Sequence, residues 1–154
     1  MPEALEHFAR AIEVEPSHAR AHAQIGNGLI RSNRAAKGLE HVRYAMRLSP
    51  RDPIMPVWLE FAGNAELELK DYPAAIEYFR RSTELNPGYP RGWAGLVAAH
   101  ALAGHEDDVR RYAAKLKTFA PTLNADGLVR QYGHQDTSQL SQGLRLALAA
   151  APRQ

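Results

Sequence analysis

The stretch KDYPAAIEYFRRSTELNP, residues 70–87, carries the pattern that decides the fold. Asp71 can cap a helix, and the small Ala75 and the bulky Phe79 follow it on one helical face. Pro87 ends that helix, because proline lacks a backbone N–H and clashes with the preceding turn. The segment is therefore typical of a turn followed by the second, amphipathic helix of a helical hairpin.

The end of this stretch recurs along the chain. Counterparts of the tetrad that closes at Pro87 close at Pro16, Pro50 and Pro121, with spacings of 34, 37 and 34 residues. Such a period predicts stacked two-helix units, in which small side chains let helices approach closely and large ones fill the gaps. Matching sets precede the prolines, namely Ala4, Phe8 and Ala11; Gly38, Val42 and Ala45; Ala75, Phe79 and Ser82; and, more weakly, Val109 and Ala113. The sequence predicts an all-α solenoid.

The period divides the chain into repeats. We predict a leading half repeat over 2–16, full repeats over 17–50, 51–87 and 88–121, and capping helices with a tail over 122–154. Gly104 is expected to end a helix in a left-handed conformation, and Asp52 to cap a helix that starts at Pro53. The predicted helices span 2–15, 18–31, 34–48, 53–69, 72–85, 89–103, 105–119, 123–132 and 137–149.

Both ends of the chain depart from the repeat. The first predicted helix lacks a first-helix partner, so we expect either that the chain is a fragment or that another chain covers Phe8, Ile12 and Val14, for example by homo-oligomer formation. At the other end, residues 136–139 resemble a capping box, and Leu140 and the leucines after it offer apolar surface for a cap. Residues 147–154 are expected to form a fraying tail.

Residues 2–121 resemble tetratricopeptide repeats, whose signature is a 34-residue period closed by proline. This resemblance implies a curved scaffold that recognises other proteins. A narrower resemblance covers residues 38–150: the strings 45–53 and 85–90 and the closing Gly143-Leu144-Arg145 are similar to the C-terminal repeats of bacterial multidomain regulators. There such repeats follow an adenylate/guanylate cyclase or a DNA-binding domain, so it implies a bacterial signalling protein whose other domain lies upstream.

Composition excludes several classes of function. The chain has no cysteine, which rules out disulfides, thiol catalysis and cysteine-based zinc sites and favours the cytoplasm. Nineteen basic against 17 acidic residues give a small, dispersed excess of charge, unlike the basic stripe of a nucleic-acid binder. An apolar run of about 18 residues, as a membrane span needs, does not occur. We expect neither nucleic acid nor membrane as a direct partner.

Several residue pairs and motifs have spacings that occur in metal, phosphate or acid–base sites. His18 and His22 have the i,i+4 spacing of a metal pair, but the pattern places no third ligand, so we interpret them as ordinary histidines. Gly26-Asn27-Gly28 lies inside a helix, which favours close helix packing over phosphate binding. The pairs Glu66 with Glu68 and Asp107 with Asp108 are interpreted as exposed, solvated charges. We predict no catalytic residue, cofactor or metal ion.

The first helix of each repeat lines the concave face of such a solenoid. The side chains that the register directs there, here called the groove, are Arg20, Asn27 and Arg31, then Glu60, Asn64 and Glu68, then Arg91, with Ala23, Val57, Ala94 and Ala98 between them. Asn27 and Asn64 occupy equivalent positions, and asparagine there often binds a peptide backbone in the family that the repeats resemble. The arginines opposing Glu60 and Glu68 predict a ligand of mixed charge.

Two functions remain open from the sequence. The first is an interaction module that binds a peptide or protein segment in the groove. The second is a structural spacer or oligomerisation domain that positions an upstream cyclase or DNA-binding domain.

Overall fold

The computed structural model describes residues 2–121, 125–132 and 138–149. Within these ranges the chain forms nine α-helices and no strand. They are α1 (Pro2–Val14), α2 (Ala19–Arg31), α3 (Ala35–Leu48), α4 (Met55–Glu68), α5 (Tyr72–Leu85), α6 (Pro90–Leu102), α7 (Glu106–Phe119), α8 (Ala125–Tyr132) and α9 (Gln139–Ala149). The all-α prediction is confirmed, and the helix ends lie within two residues of those predicted.

The helices pair as antiparallel hairpins that stack. Helices α2 and α3, α4 and α5, and α6 and α7 form the hairpins, while α3 packs on α4 and α5 on α6. The first helices α2, α4 and α6 also contact one another in sequence. Among the residues that the structure describes, no helix has the length and apolar character of a bilayer span.

Small residues occupy the points of closest helix approach. A Cβ built on Gly26 of α2 would lie 2.6 Å from the carbonyl oxygen of Gly38 on α3, and one on Gly38 would lie 2.6 Å from that of Gly26. Real Cβ atoms do not approach backbone this closely, so only glycine fits. Phe79 is fully buried and contacts Gly63 in its own hairpin and Gly95 in the next. The small and bulky positions of the repeat therefore have the packing roles that the sequence predicted.

Each hairpin turn contains one residue with positive φ. Asn33, Lys70 and Gly104 have φ values of 60°, 61° and 77°, and they follow α2, α4 and α6 respectively. Their spacings of 37 and 34 residues equal those of the closing prolines. Asp71 then caps α5, since its carboxylate accepts a hydrogen bond of 3.1 Å from the Ala74 N–H.

Two local predictions were wrong. Helix α4 begins at Met55 rather than Pro53, because the Asp52 carboxylate accepts the Ile54 N–H at 3.0 Å and thereby holds a turn before the helix. Helix α9 continues through Ala149, and Ala147 is buried in the core rather than part of a tail. Residues 150–154, and Asp136 and Thr137 of the predicted capping box, lie outside the described residues.

Helix α9 folds back onto the first helices of the solenoid. It packs chiefly against α6 and also contacts α4 and α8. Leu140, Leu144 and Ala147 enter the same apolar core as Phe79 and Leu96. Ser138 caps α9, because its hydroxyl oxygen accepts the Ser141 N–H at 3.2 Å.

Candidate functional site

The part of the groove on α2 keeps its polar side chains at the surface, although Ala23 between them is fully buried. Arg20 and Arg31 are exposed and Asn27 is half-buried, all on the same side of this helix. Arg20 contacts Asp52, with 3.4 Å between its Nε and the carboxylate. Burial alone would raise the pKa of Asp52, but hydrogen bonds from Ile54 and Arg20 outweigh it and lower the pKa. Asp52 is therefore an anion that helps to orient Arg20.

The part of the groove on α4 is closed at its centre. Glu60 and Asn64 are only 1% and 3% exposed, although the sequence register treated both as open positions. The Glu60 carboxylate accepts hydrogen bonds from Asn64 at 2.5 Å, from the Tyr89 hydroxyl at 3.3 Å and from Arg91 at 3.3 Å. The contacts from Tyr89 and Arg91 join α4 to the start of α6, so polar groups that the sequence offered to a ligand contact one another instead.

Burial raises the pKa of Glu60, whereas the Arg91 guanidinium and the hydrogen bonds from Asn64 and Tyr89 lower it. The net effect is a raised pKa of Glu60. Burying the charged carboxylate therefore costs free energy, which the Arg91 guanidinium partly offsets. Truncating Arg91 would leave this carboxylate buried without its partner. This network replaces the prediction that Arg91 and Glu60 present opposed charges to a bound ligand.

Helix α9 covers the remaining end of the groove. The Glu68 carboxylate accepts the backbone N–H of Gln139, the first residue of α9, at 2.9 Å. A Cβ built on Gly143 would lie 2.5 Å from the Ala98 carbonyl oxygen and 2.8 Å from the Ala98 Cβ. Ala98 follows Asn64 by one 34-residue period, so α9 lies on a groove position of the fourth repeat.

The carboxylate pairs were only partly interpreted correctly. Glu66 is 5% exposed, which contradicts the prediction of a solvated charge, and it accepts a hydrogen bond of 2.8 Å from Arg43 on α3. Burial raises the pKa of Glu66, while Arg43 opposes the rise and Asp71 adds to it. Asp107 is exposed as predicted and pairs with Arg110 one turn away.

The histidines predicted to be ordinary have packing and capping roles. The His18 Nδ1 accepts the Ala21 N–H at 3.2 Å and so caps α2. His22 is buried; its Nε2 lies 3.0 Å from the Pro16 carbonyl oxygen and its Nδ1 lies 3.1 Å from the Nδ1 of His41. These contacts fix the start of α2 against the preceding turn and against α3.

Sequence reasoning missed a histidine cluster at the α6–α7 turn. His100, His105 and Asp108 bring three groups that could ligate a metal within 4.8 Å of one another. The Nδ1 atoms of His100 and His105 lie 3.1 Å apart, which suits one N–H···N hydrogen bond between the two rings. Among the described residues the buried Nε2 of His100 has no hydrogen-bond partner, whereas a metal-bound histidine normally donates its other N–H. The geometry favours a hydrogen-bonded pair over a metal site.

A signal for the covered groove was present in the sequence. From Gly92 to Gly104 the chain has no acidic or basic residue other than His100, so the fourth repeat's first helix is apolar on every side. A helix with that pattern must be covered all round. In the structure α9 supplies that cover, which the repeat register could not assign to any particular segment.

Comparisons with known proteins agree with this architecture. The family model described as Tetratricopeptide repeat matches residues 24–90 and 62–113, which together cover more than half of the chain. A curated relative, the tetratricopeptide repeat-containing protein trd-1 of Caenorhabditis elegans, is 27% identical over 103 residues, which are 66% of this chain and 13% of the relative. The chain thus spans only a small part of that protein's length.

Solved structures show the same fold. PilW, a widely conserved type IV pilus biogenesis factor, superposes with a TM-score of 0.74 at 23% identity, over 94% of this chain and 67% of that one. MamA gives a TM-score of 0.70 at 15% identity, over 95% and 85% of the two chains. YrrB, a repeat protein with an unusual peptide-binding site, gives 0.66 at 19% identity, over 97% and 77%.

These similarities concern the repeat fold, so the narrower resemblance to bacterial regulators stays a prediction. The stacked hairpins, the closing prolines and the small and bulky residues at the closest helix contacts agree with the family match over residues 24–113. On this basis the chain belongs to the tetratricopeptide repeat family.

Proposed function

We propose that this chain is an interaction module that binds a peptide or protein segment on the α2 part of its groove. Tetratricopeptide repeats generally mediate protein–protein interaction and are generally non-catalytic scaffolds. The observation that carries the proposal is that Arg20, Asn27 and Arg31 are exposed or half-exposed on one face of α2. On α4 the equivalent asparagine, Asn64, is buried instead, and Glu60 is buried beside it.

The chemistry of this face indicates the class of ligand. An asparagine amide can donate to and accept from a peptide backbone, and arginine favours carboxylates through its planar set of N–H donors. Glu60 and Glu68, which the sequence placed opposite the arginines, are engaged with Arg91 and with α9. Arg20 is itself paired with Asp52, so a ligand carboxylate would have to share Arg20 with Asp52. The proposed ligand is therefore an extended segment whose backbone contacts Asn27 and whose acidic side chains lie near Arg20 and Arg31.

A peptide display selection tests this proposal. Peptides selected on the wild-type chain are measured against the double variant Asn27→Ala with Arg31→Ala. We expect at least a tenfold loss of affinity with little change in melting temperature. The matched control is Lys115→Ala with Lys117→Ala on α7, both exposed and on a second helix, and it should bind as the wild type does.

The spacer hypothesis makes the opposite prediction. If no selected peptide depends on Asn27 or Arg31, the α2 face does not recognise peptides and a structural role is favoured. The narrower sequence resemblance supports placing the module in a bacterial cytoplasmic signalling protein. The reading frame upstream of Met1 tests that placement, because a cyclase or DNA-binding domain should be encoded there.

A further inference from the structure

The position of α9 defines a second binding surface in the groove, distinct from the α2 face. This surface, here called the α4–α6 site, has a polar end at Glu68 and an apolar floor at Ala98. Its present occupant is a helix of eleven residues from the same chain.

The polar end binds the N-terminus of a helix. Glu68 accepts the N–H of Gln139, and the Tyr72 hydroxyl donates to the Gln139 side-chain oxygen at 3.3 Å. The first N–H groups of a helix lack partners within it and carry partial positive charge, so a carboxylate placed there is favourable. Burial raises the pKa of Glu68, and the hydrogen bond from Gln139 opposes the rise.

The apolar floor requires a small residue at the centre of the bound helix. Gly143 lies against the backbone of Ala98, at a separation where a Cβ would not fit. Leu140, Leu144 and Ala147 lie on the same face of α9 and are buried, while Leu146 on the other face is 52% exposed. The pattern that fits the site is thus the one at Leu140, Gly143, Leu144 and Ala147. It consists of an apolar residue, a glycine three residues later, an apolar residue directly after it, and a small residue three positions beyond that.

We propose that the α4–α6 site is a helix-binding site, that α9 is its resident occupant, and that an amphipathic helix of a partner protein with the same pattern binds there when α9 leaves. This inference rests on the proposed function, because it assigns a second ligand class to the same groove. A tethered helix competes with an effective concentration on the order of 1 mM, so it shields the site from weak ligands. Only a partner helix that binds more tightly than α9 displaces it.

The test opens the site within the full chain. In the variant Gly143→Leu the new side chain meets the Ala98 backbone, so α9 cannot take its position. The probe is a fluorescein-labelled synthetic peptide of residues 138–149 with the natural sequence, followed by fluorescence anisotropy. We expect the peptide to bind the Gly143→Leu chain at least tenfold more tightly than the wild-type chain. A peptide that itself carries Gly143→Leu should bind neither.

The matched control is the chain variant Leu146→Gln, which changes the exposed face of α9 and should behave as the wild type does. Equal binding of the peptide to the wild-type and Gly143→Leu chains, or binding to neither, would overturn the proposal. If Gly143→Leu fails to fold by circular dichroism, Glu68→Ala removes only the polar end. In that variant the α9 amides should exchange with deuterium at least tenfold faster, while those of α5 should not change.

The two proposals fail separately. Binding of peptides on α2 responds to Asn27→Ala and not to Gly143→Leu. Binding of the α9 peptide responds to Gly143→Leu, exchange of the α9 amides responds to Glu68→Ala, and neither responds to Asn27→Ala. Loss of the first pattern alone refutes peptide binding on α2. Loss of the second alone refutes the α4–α6 site.

Discussion

Lys70 has a backbone conformation that is unfavourable for a residue with a side chain. Its φ of 61° places it in the left-handed region, which Gly104 occupies at the equivalent turn. A residue with a Cβ is destabilised by roughly 1–2 kcal/mol in this region, and glycine removes that strain. Glycine also gives the unfolded chain more conformational freedom, which lowers stability by about 0.4–1 kcal/mol. We expect Lys70→Gly to raise the free energy of unfolding by about 0.5–1 kcal/mol.

Chemical denaturation followed by circular dichroism measures this change. The control is Lys115→Gly, at an exposed position in the interior of α7, which should lower the free energy of unfolding by about 1 kcal/mol. If the two substitutions change stability in the same direction, positive φ at residue 70 is not the controlling factor.

His100 makes stability depend on pH. Burial lowers its pKa, Asp108 opposes the change and His105 adds to it; burial and His22 likewise lower the pKa of His41. The folded chain therefore holds the rings of His100 and His41 neutral below the unfolded pKa of about 6.5, where the unfolded chain takes up protons. The stability that these two rings contribute is complete above that pH and is lost as the pH falls below it.

We expect His100→Gln to remove part of the loss in the free energy of unfolding that acidification from pH 7.5 to pH 5.5 causes. The raised pKa values of Glu60, Glu66 and Glu68 increase the free energy of unfolding over the same change of pH. The free energy of unfolding of the variant is therefore compared with that of the wild type at each pH. His7→Gln, which replaces an exposed histidine of α1, serves as the control. An unchanged pH dependence in His100→Gln would show that this ring does not contribute.

At the scale of elements, the contact between α4 and α6 includes the charge pair of the buried Glu60 with Arg91. Removing one partner of such a pair typically costs about 3–5 kcal/mol, because the other charge stays buried. Arg91 keeps 30% of its side chain exposed, so we expect Arg91→Met to cost about 3 kcal/mol at pH 7, near the lower end of that range. The cost should shrink at pH 5, because Glu60, whose pKa is already raised, can then take up a proton.

Urea denaturation at both pH values measures this cost. A loss that came from side-chain packing alone would be the same at both pH values, whereas a loss from the unpaired Glu60 charge would shrink at pH 5. The control is Arg80→Met on α5, whose partners Glu77 and Glu84 are exposed on the same helix. Solvent screens such surface pairs, so the control should change little at either pH.

At the scale of the whole molecule, we expect the apolar side chains of α1 to mediate self-association. Val14 is 88% exposed, Phe8 and Ile12 are only half-buried, and α1 packs on α2. We expect sedimentation to show concentration-dependent association at high protein concentration. Val14→Lys should weaken it, whereas Leu69→Lys, which charges an exposed leucine after α4, should not. A monomer at every concentration would refute the prediction.

The sequence by itself determined the repeat architecture of this protein. The spacing of Pro50 and Pro87, the close approach at Gly26 and Gly38, and the left-handed turn at Gly104 follow from local backbone limits and side-chain size. Such properties act within one hairpin or between neighbours, so a pattern read along the chain is enough to predict them. They predicted all nine described helices to within two residues.

Only the tertiary structure decided which of the predicted groove residues stay exposed. The burial of Glu60 and Asn64 depends on Arg91 and Tyr89, about 30 residues away, and the cover over Glu68 and Ala98 depends on where α9 folds back. A repeat register specifies the side of a helix on which a residue lies, but not what packs against that side. That depends on contacts between distant segments, which compete through burial and charge pairing and have no fixed spacing in the sequence.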